Sequence, residues 1–316
     1  KKKPQVQQGS STPSASSRDG APATTTTSHL TEQHLHHKFA WLNENRKDIN
    51  GNSPGDPDFD ARTLQAPKSF LESCTPAMIG WWEFKSRNFD TVLFYKVGKF
   101  YERFHMDAGV GGGELDCIYM KGEKAHSGFP EIAYGEKAKI LVDRGYRVAR
   151  VEQTETPEMM KARLARERAS GKARSKSALQ KKKDKVVRRE VCNVVSKGTC
   201  TFDHVYRNYD LDKPTSYAAE ESVLLAVTEK VFIENDDDQR SIVGGGDFGA
   251  PAYEFGVCVI DASRGKFEIG QFTDSQQLER LQTLFSVFPV AEVVYAQGAV
   301  SEKTMRTIRH SAPALI

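Results

Sequence analysis

Val97-Gly98-Lys99-Phe100-Tyr101-Glu102-Arg103-Phe104 follows the apolar run Thr91-Val92-Leu93-Phe94-Tyr95 and sets a flat ring and a carboxylate two residues apart, just past a glycine. A ring so placed can wedge into a stack of bases, and an acceptor beside it can test an exposed base edge. The same spacing has an ordinary reading. Phe100 and Phe104 are four apart and share one face of a helix, with Glu102 in its first turn, where the helix dipole favours a negative charge. The spacing therefore predicts a helix over residues 100–108.

The elements around this stretch alternate in type. Thr75-Pro76 reads as a helix N-cap followed by proline at the first helical position, and the helix then carries Met78, Trp81, Trp82 and Phe84. Residues 91–97 hold no charge before Lys96 and are expected to be a strand buried on both faces. Further strands are expected at 115–120, 146–151 and 186–195, with a helix over 136–144 closed by Gly145. Beyond residue 216 come strand patterns at 222–233, 254–261, 266–272 and 292–295 and helical patterns at 278–288 and 301–309. The fold class is α/β with mixed sheets.

Composition divides the chain. Residues 1–30 contain eleven Ser or Thr and three Pro with few apolar residues, too little to offset ordering entropy by burial. A tail or linker is expected through residue 57, with a short helix over 32–45 that carries Phe39 and Leu42 on one side. A first folded domain is expected over 58–201, a linker over 202–215, and a second domain over 216–316. The net charge of +3 hides an uneven distribution. Residues 161–189 hold thirteen Lys or Arg and two acids, a net +11, so the remainder of the chain is −8. A local basic segment suits a polyanion. The run Lys181-Lys182-Lys183-Asp184-Lys185 reads equally as a nuclear import signal, a DNA arm or a solvated loop.

Catalytic signals are weak. No Gly-x-x-x-x-Gly-Lys-[Ser/Thr] is present, and the clusters around Gly109–Gly113 and Gly244–Gly246 lack its lysine and read as turns. The acids Asp107, Glu114, Asp116 and Asp261 are the candidates for a metal-dependent nuclease, the alternative reading along with general duplex binding. Cys192, Cys200 and His204 match no standard zinc spacing, and the five cysteines include no Cys-x-x-Cys pair, so no metal and no disulfide framework is expected. No apolar run is long enough to span a membrane, and Lys1-Lys2-Lys3-Pro4 does not open a secretory signal.

Gly98-Lys99-Phe100-Tyr101-Glu102 resembles the Gly-x-Phe-Tyr-Glu segment of the MutS family. The likeness extends through Ser73-Cys74-Thr75-Pro76-Ala77-Met78, Trp81-Trp82-Glu83-Phe84-Lys85, Ala125-His126-Ser127-Gly128-Phe129-Pro130-Glu131 and Val151-Glu152-Gln153-Thr154-Glu155-Thr156-Pro157-Glu158. Lys99, the double Trp and the Thr-Glu-Thr-Pro-Glu extension are similar to one eukaryotic branch of that family, whose members pair with MutS homologue 2. The resemblance implies a mismatch-recognition domain followed by an incomplete ribonuclease-H-like connector domain. It implies recognition of mispaired duplex DNA in the nucleus, with Phe100 stacking in the minor groove and Glu102 approaching a base edge. It implies no enzyme activity and no cofactor in this stretch, because the family's ATPase lies elsewhere. Lys96, Lys99 and Lys121 would meet phosphate or stand as solvated charge, and Met120 and the Gly128-Phe129-Pro130 turn would line the groove or simply pack.

Overall fold

A computed structural model describes residues 34–122, 124–171, 175–200, 222–232 and 252–311. Within them two mixed sheets form. The first runs β3-β2-β1-β4-β5, with β1 Thr91–Val97, β2 Phe100–Phe104, β3 His126–Pro130, β4 Arg147–Gln153 and β5 Arg189–Val195. Only β1 and β4 are parallel. Its helices are α1 Pro76–Arg87, α2 His105–Leu115, α3 Tyr134–Asp143, α4 Pro157–Ala169 and α5 Ala178–Lys183. The second sheet runs β8-β7-β6-β9, with β6 Val223–Phe232, β7 Ala252–Asp261, β8 Lys266–Asp274 and β9 Val290–Val294. Helices α6 Glu279–Val287 and α7 Glu302–Ser311 cover one of its faces, Leu281 and Ile308 packing on Leu225, Phe255 and Val257.

β1 is the central strand, and its uncharged sequence is buried on both sides. Leu93 and Tyr95 face α1, where they meet Trp81 and Trp82 together with Ala149 and Val151 of β4. Val92 and Phe94 face the other way, onto Leu141 and Val142 of α3 and onto Tyr101, Phe129 and Val148. The cap of α1 forms as expected: the Met78 N–H donates to Thr75 Oγ at 3.4 Å and Pro76 occupies the first turn.

Residues 100–104 are strand, and the helix expected over 100–108 begins only at His105. Gly98 explains the difference. Val97 pairs with Phe100 across a two-residue turn in which Gly98, at φ 58, is the one residue in the left-handed region. That is the pattern of a type II′ hairpin, whose first central position favours glycine. Pairing with β1 on one side and β3 on the other then overrides the four-residue Phe spacing.

The strand expected at 115–120 is absent. Residues 105–115 are one helix, running through the glycines read as turns, and Asp116 ends it in the left-handed conformation at φ 52. Glycine here permits close approach. A side chain at Gly111 would begin 2.7 Å from the Arg103 guanidinium carbon, and one at Gly112 would begin 2.8 Å from the Tyr119 ring. Tyr119 makes a single bridge to Ser127, and the strand that completes this edge is His126–Pro130, where a turn was expected.

The tail expected to reach residue 57 is packed structure from residue 34 onward. A 3-10 turn at Leu35–Lys38 and a one-turn helix at Ala40–Asn43 replace the expected single helix. Leu42 enters the core beneath α1, and Trp41 sits edge-on to Trp82 with centroids 5.3 Å apart. Asp48 is buried and accepts the backbone N–H groups of Asn50, Asn52 and Asp60, which hold its carboxyl below the usual range against the opposing effect of desolvation. The expected tail over 1–33, the linker over 202–215 and the Gly244–Gly246 cluster lie outside the described residues.

Two polar features tie these elements together. Lys85 of α1 and Asp107 of α2 form an ion pair at 2.6 Å, each side chain 2% exposed. Lys85 Nζ also donates to the Thr91 carbonyl at 2.7 Å, and the Leu93 N–H donates to Asp107 Oδ2 at 3.0 Å. The second feature is a cluster of buried imidazoles packed against the tryptophans. His36 lies 5.9 Å from His105, whose ring is 4.9 Å from Trp82 and 5.6 Å from Trp81. Burial, with neighbouring imidazoles adding to it, pushes His36 down from 6.5 to about 4 and His105 down to about 3.

Removing one member of the buried pair leaves the other charge unpaired. Lys85→Met or Asp107→Leu alone is expected to cost about 3–5 kcal/mol, and the double variant less than the sum of the two. Urea titration checks this, and single variants within about 1 kcal/mol of the parent would contradict it. The histidines give a pH dependence. Their folded-state values are depressed, so their stabilisation is complete above 6.5 and is lost as pH falls from 6.5 through about 4 and about 3. The melting temperature should decline over that window, and His36→Phe should flatten the decline.

Candidate functional site

The β1–β2 hairpin determines what Phe100 and Glu102 can do. On a strand, residues two apart share a face. Phe100, Glu102 and Phe104 therefore point to one side, while Tyr101 and Arg103 are buried on the other. The β3 partners are Pro130 opposite Phe100, Gly128 opposite Glu102 and His126 opposite Phe104. Phe104 joins the core beneath α1 and stacks on His126 with centroids 4.5 Å apart at 20°. Phe100 does neither. It stands at the hairpin end, 46% exposed and outside all three core clusters.

Glu102 lies low on the same face. Its carboxylate reaches diagonally past Gly128 to His126 Nε2 at 3.2 Å, with 19% of its side chain exposed. Ring and acid thus sit on one surface, the ring projecting and the acid held against the sheet. On the reverse side the hairpin is braced. Tyr101 donates to Glu152, and Arg150 Nε donates to the Tyr101 hydroxyl at 2.7 Å. Burial, together with the Glu152 acceptor, pushes the Tyr101 hydroxyl pKa up.

The remaining candidates separate. Lys96 is turned to the braced face, where it pairs with Glu131 and lies 4.7 Å over the Tyr101 ring. It does not flank Phe100 and Glu102 as expected, because it is in register with Tyr101. That pairing holds the Glu131 carboxyl below its usual range. Lys99 is exposed at the hairpin turn. Met120, 44% exposed, donates its N–H to the His126 carbonyl at 2.7 Å, so it and the exposed Lys121 border β3 on its outer edge. His126 is a neighbour of Glu102 that residue types did not single out, since only the strand register brings the two together.

The basic segment is largely committed to its own fold. Arg163 binds Glu155 at 2.8 and 3.0 Å, and Lys176 joins Glu167 and Asp184 at 2.7 and 2.6 Å. Lys183 pairs with Glu83 of α1, and Lys182 donates to the Glu72 carbonyl at 2.8 Å. Lys161, Arg166, Arg168, Lys181 and Lys185 have no acidic partner among the described residues.

The acids considered for metal chemistry are dispersed. Asp107 is sealed in its ion pair with Lys85, Glu114 binds Arg144 and the Tyr146 hydroxyl, and Asp116 caps α2. Asp261 accepts from the Ser263 hydroxyl at 2.6 Å and from the Ser263 and Arg264 backbone N–H groups, bonds that hold its carboxyl low. Among the described residues no three His, Cys, Asp or Glu side chains are grouped to hold a metal ion. Cys192 is exposed and Cys200 is partly buried, while His204 lies outside the described residues. No described helix is long and apolar enough to cross a membrane.

A family model described as MutS domain I matches residues 75–204. The chain is 44% identical over 277 residues to the DNA mismatch repair protein Msh6 of Homo sapiens, a match covering 87% of this chain and 18% of that protein. It is 42% identical over 277 residues to Msh6 of Gallus gallus, again 87% and 18%. To the probable Msh6 of Drosophila melanogaster it is 40% identical over 288 residues, 90% of this chain and 21% of the relative. The chain thus spans about a fifth of the length of the curated relatives it matches.

Proposed function

The chain belongs to the MutS family, in its homologue 6 branch, and from that premise we propose that it reads mispaired bases in duplex DNA at the opening step of mismatch repair. The carrying observation is the half-exposed Phe100 standing free of the core, two residues from Glu102 on one strand face. Phe100 wedges into the minor groove and stacks on the mispaired base. Unstacking costs a few kcal/mol, and less where pairing is already defective, so selectivity begins as a difference in deformation energy. Glu102 follows the ring to the base edge. Its charge is repelled by the phosphates of sound duplex, whereas a mispaired base offers it a hydrogen bond.

Lys99 meets the backbone beside the wedge, and Met120 and Lys121, at the His126 end of β3, meet the groove farther along. The described residues 222–232 and 252–311 belong to a connector domain of ribonuclease-H-like fold, a reading supported by three antiparallel strands followed by one parallel to the first. The role is recognition, with no catalytic step and no cofactor in these residues. The larger protein acts in the nucleus, paired with MutS homologue 2.

In the full-length protein assembled with that subunit, Phe100→Ala should bring the affinity ratio for G·T over matched duplex close to one, a loss of a few kcal/mol. The melting temperature should barely move, since Phe100 packs in no core cluster. Glu102→Ala should instead raise affinity for matched duplex while lowering the ratio. A ratio unchanged by Phe100→Ala would refute the wedge.

Neutralising Lys181 and Lys185, which have no acidic partner among the described residues, should weaken matched and mismatched binding equally. It should flatten the slope of log K against log salt by up to about one unit for each phosphate that is no longer neutralised. Lys183→Ala should mainly loosen α5 from α1, because that lysine pairs with Glu83. An unaltered salt slope in the Lys181/Lys185 variant would place this run off the DNA.

A further inference from the structure

We propose that His126 is a positioning residue for Glu102, holding the carboxylate against the β3 edge so that it meets the duplex at one place beside Phe100. This rests on the reading of Glu102 as the group that tests the base edge. His126 Nε2 lies 3.2 Å from Glu102 Oε2, and among the described residues no other His, Lys or Arg side chain reaches that carboxylate within ion-pair distance. Nε2 is shielded from solvent and makes no aligned hydrogen bond, which leaves the acid as its electrostatic neighbour.

The imidazole is held by one ring contact, and the backbone that carries it by two hydrogen bonds. Its ring stacks on Phe104 at 4.5 Å and 20°. Its carbonyl accepts the Met120 N–H at 2.7 Å, and the preceding carbonyl of Ala125 accepts the His105 N–H at 2.9 Å. Gly128 keeps the diagonal path open. A side chain there would begin 3.5 Å from Glu102 Cγ and 3.1 Å from the Tyr101 carbonyl. The acid therefore lies across a glycine and ends at a ring stacked on Phe104.

Free glutamate side chains carry rotamer entropy that binding must remove. A carboxylate already held beside the wedge loses less on meeting a base. An imidazole at its side, when protonated, also offsets part of the repulsion it meets on approaching phosphate. His126 acts on discrimination through Glu102, without itself stacking on the base.

The test is a double-mutant cycle in the full-length protein assembled with its partner subunit, reading the Kd ratio for matched over G·T duplex by fluorescence anisotropy. His126→Phe keeps the ring stack on Phe104 and removes the donor. His126→Gln removes the stack and keeps a donor. The expected result is a drop in the ratio of about 3- to 10-fold for His126→Phe, in the range of coupling between touching residues, and a smaller drop for His126→Gln. In a Glu102→Ala background His126→Phe should change nothing further. Equal losses from both His126 variants, or a full loss persisting without Glu102, would show a packing role and overturn the proposal. A silent His126→Phe alongside an effective Glu102→Ala would overturn it alone. A silent Glu102→Ala would overturn the reading beneath it, and this proposal with it. Melting temperatures taken on the same samples separate unfolding from any of these outcomes.

Discussion

Asp107 is the point on which the first domain is organised. It is a fully enclosed carboxylate that receives Lys85 from α1 and the Leu93 N–H from β1, while its own helix follows directly on β2. It also feels the charge of Arg103, a residue of β2 with no exposed surface. Burial pushes the Asp107 carboxyl up, and the two nearby cations oppose that shift. One acid thus sits among two buried cations contributed by different elements. Such an arrangement is costly to break from either side, because any displaced partner leaves a charge without solvent. The hairpin is consequently anchored at its base, where β2 passes into α2, and at its turn the Lys99 carbonyl accepts the Glu131 N–H at 2.9 Å.

Burial of Arg103 also accounts for the glycines of α2. The guanidinium lies 5.6 Å from the centre of the Phe94 ring and 4.9 Å from that of Phe129, so its charge is met by ring faces as well as by Asp107. A helix can pass over it only where no side chain intervenes, and Gly111 is that place. Glycines inside a helix lower its propensity, and the packing they allow outweighs that loss. The run therefore looks like a turn in the sequence and behaves as a packing surface in the fold.

This is why some elements were legible and others were not. β1 announces itself as an uncharged run, α1 by its Thr-Pro cap, and the β7–β8 hairpin by the turn at Asp261. In β2 both faces carry aromatic residues and the inward face includes an arginine, so alternation of polar and apolar types is lost. β3 contains Ser, Gly and Pro, which is tolerable in an edge strand of this sheet and reads as a turn. Phe100 and Glu102 were singled out by type and by resemblance. Their sharing of a face follows from a period of two that the helical spacing of Phe100 and Phe104 concealed. Lys96 was misplaced for the same reason: one residue of register separates the reading face from the braced one.

The two faces of β2 then have different mechanical roles. Phe100 and Glu102 lie on the side open at the strand's end, while directly behind them Tyr101 is locked to Arg150 and Glu152, and Lys96 to Glu131. A wedge deforms its target only if its own support deforms less. The reverse-side network adds side-chain links from β2 to β4 and from β1 to the segment following β3, alongside the backbone pairing of β1 with β4 and of β2 with β3. In the proposed wedge role, load on the Phe100 ring would pass into the five-stranded sheet and its packed helices. The exposed side chain of Lys99 at the turn adds charge, and the braced Lys96 adds stiffness. The division of labour between Lys99 and Lys96, three residues apart, follows from the single glycine that turns the chain between them.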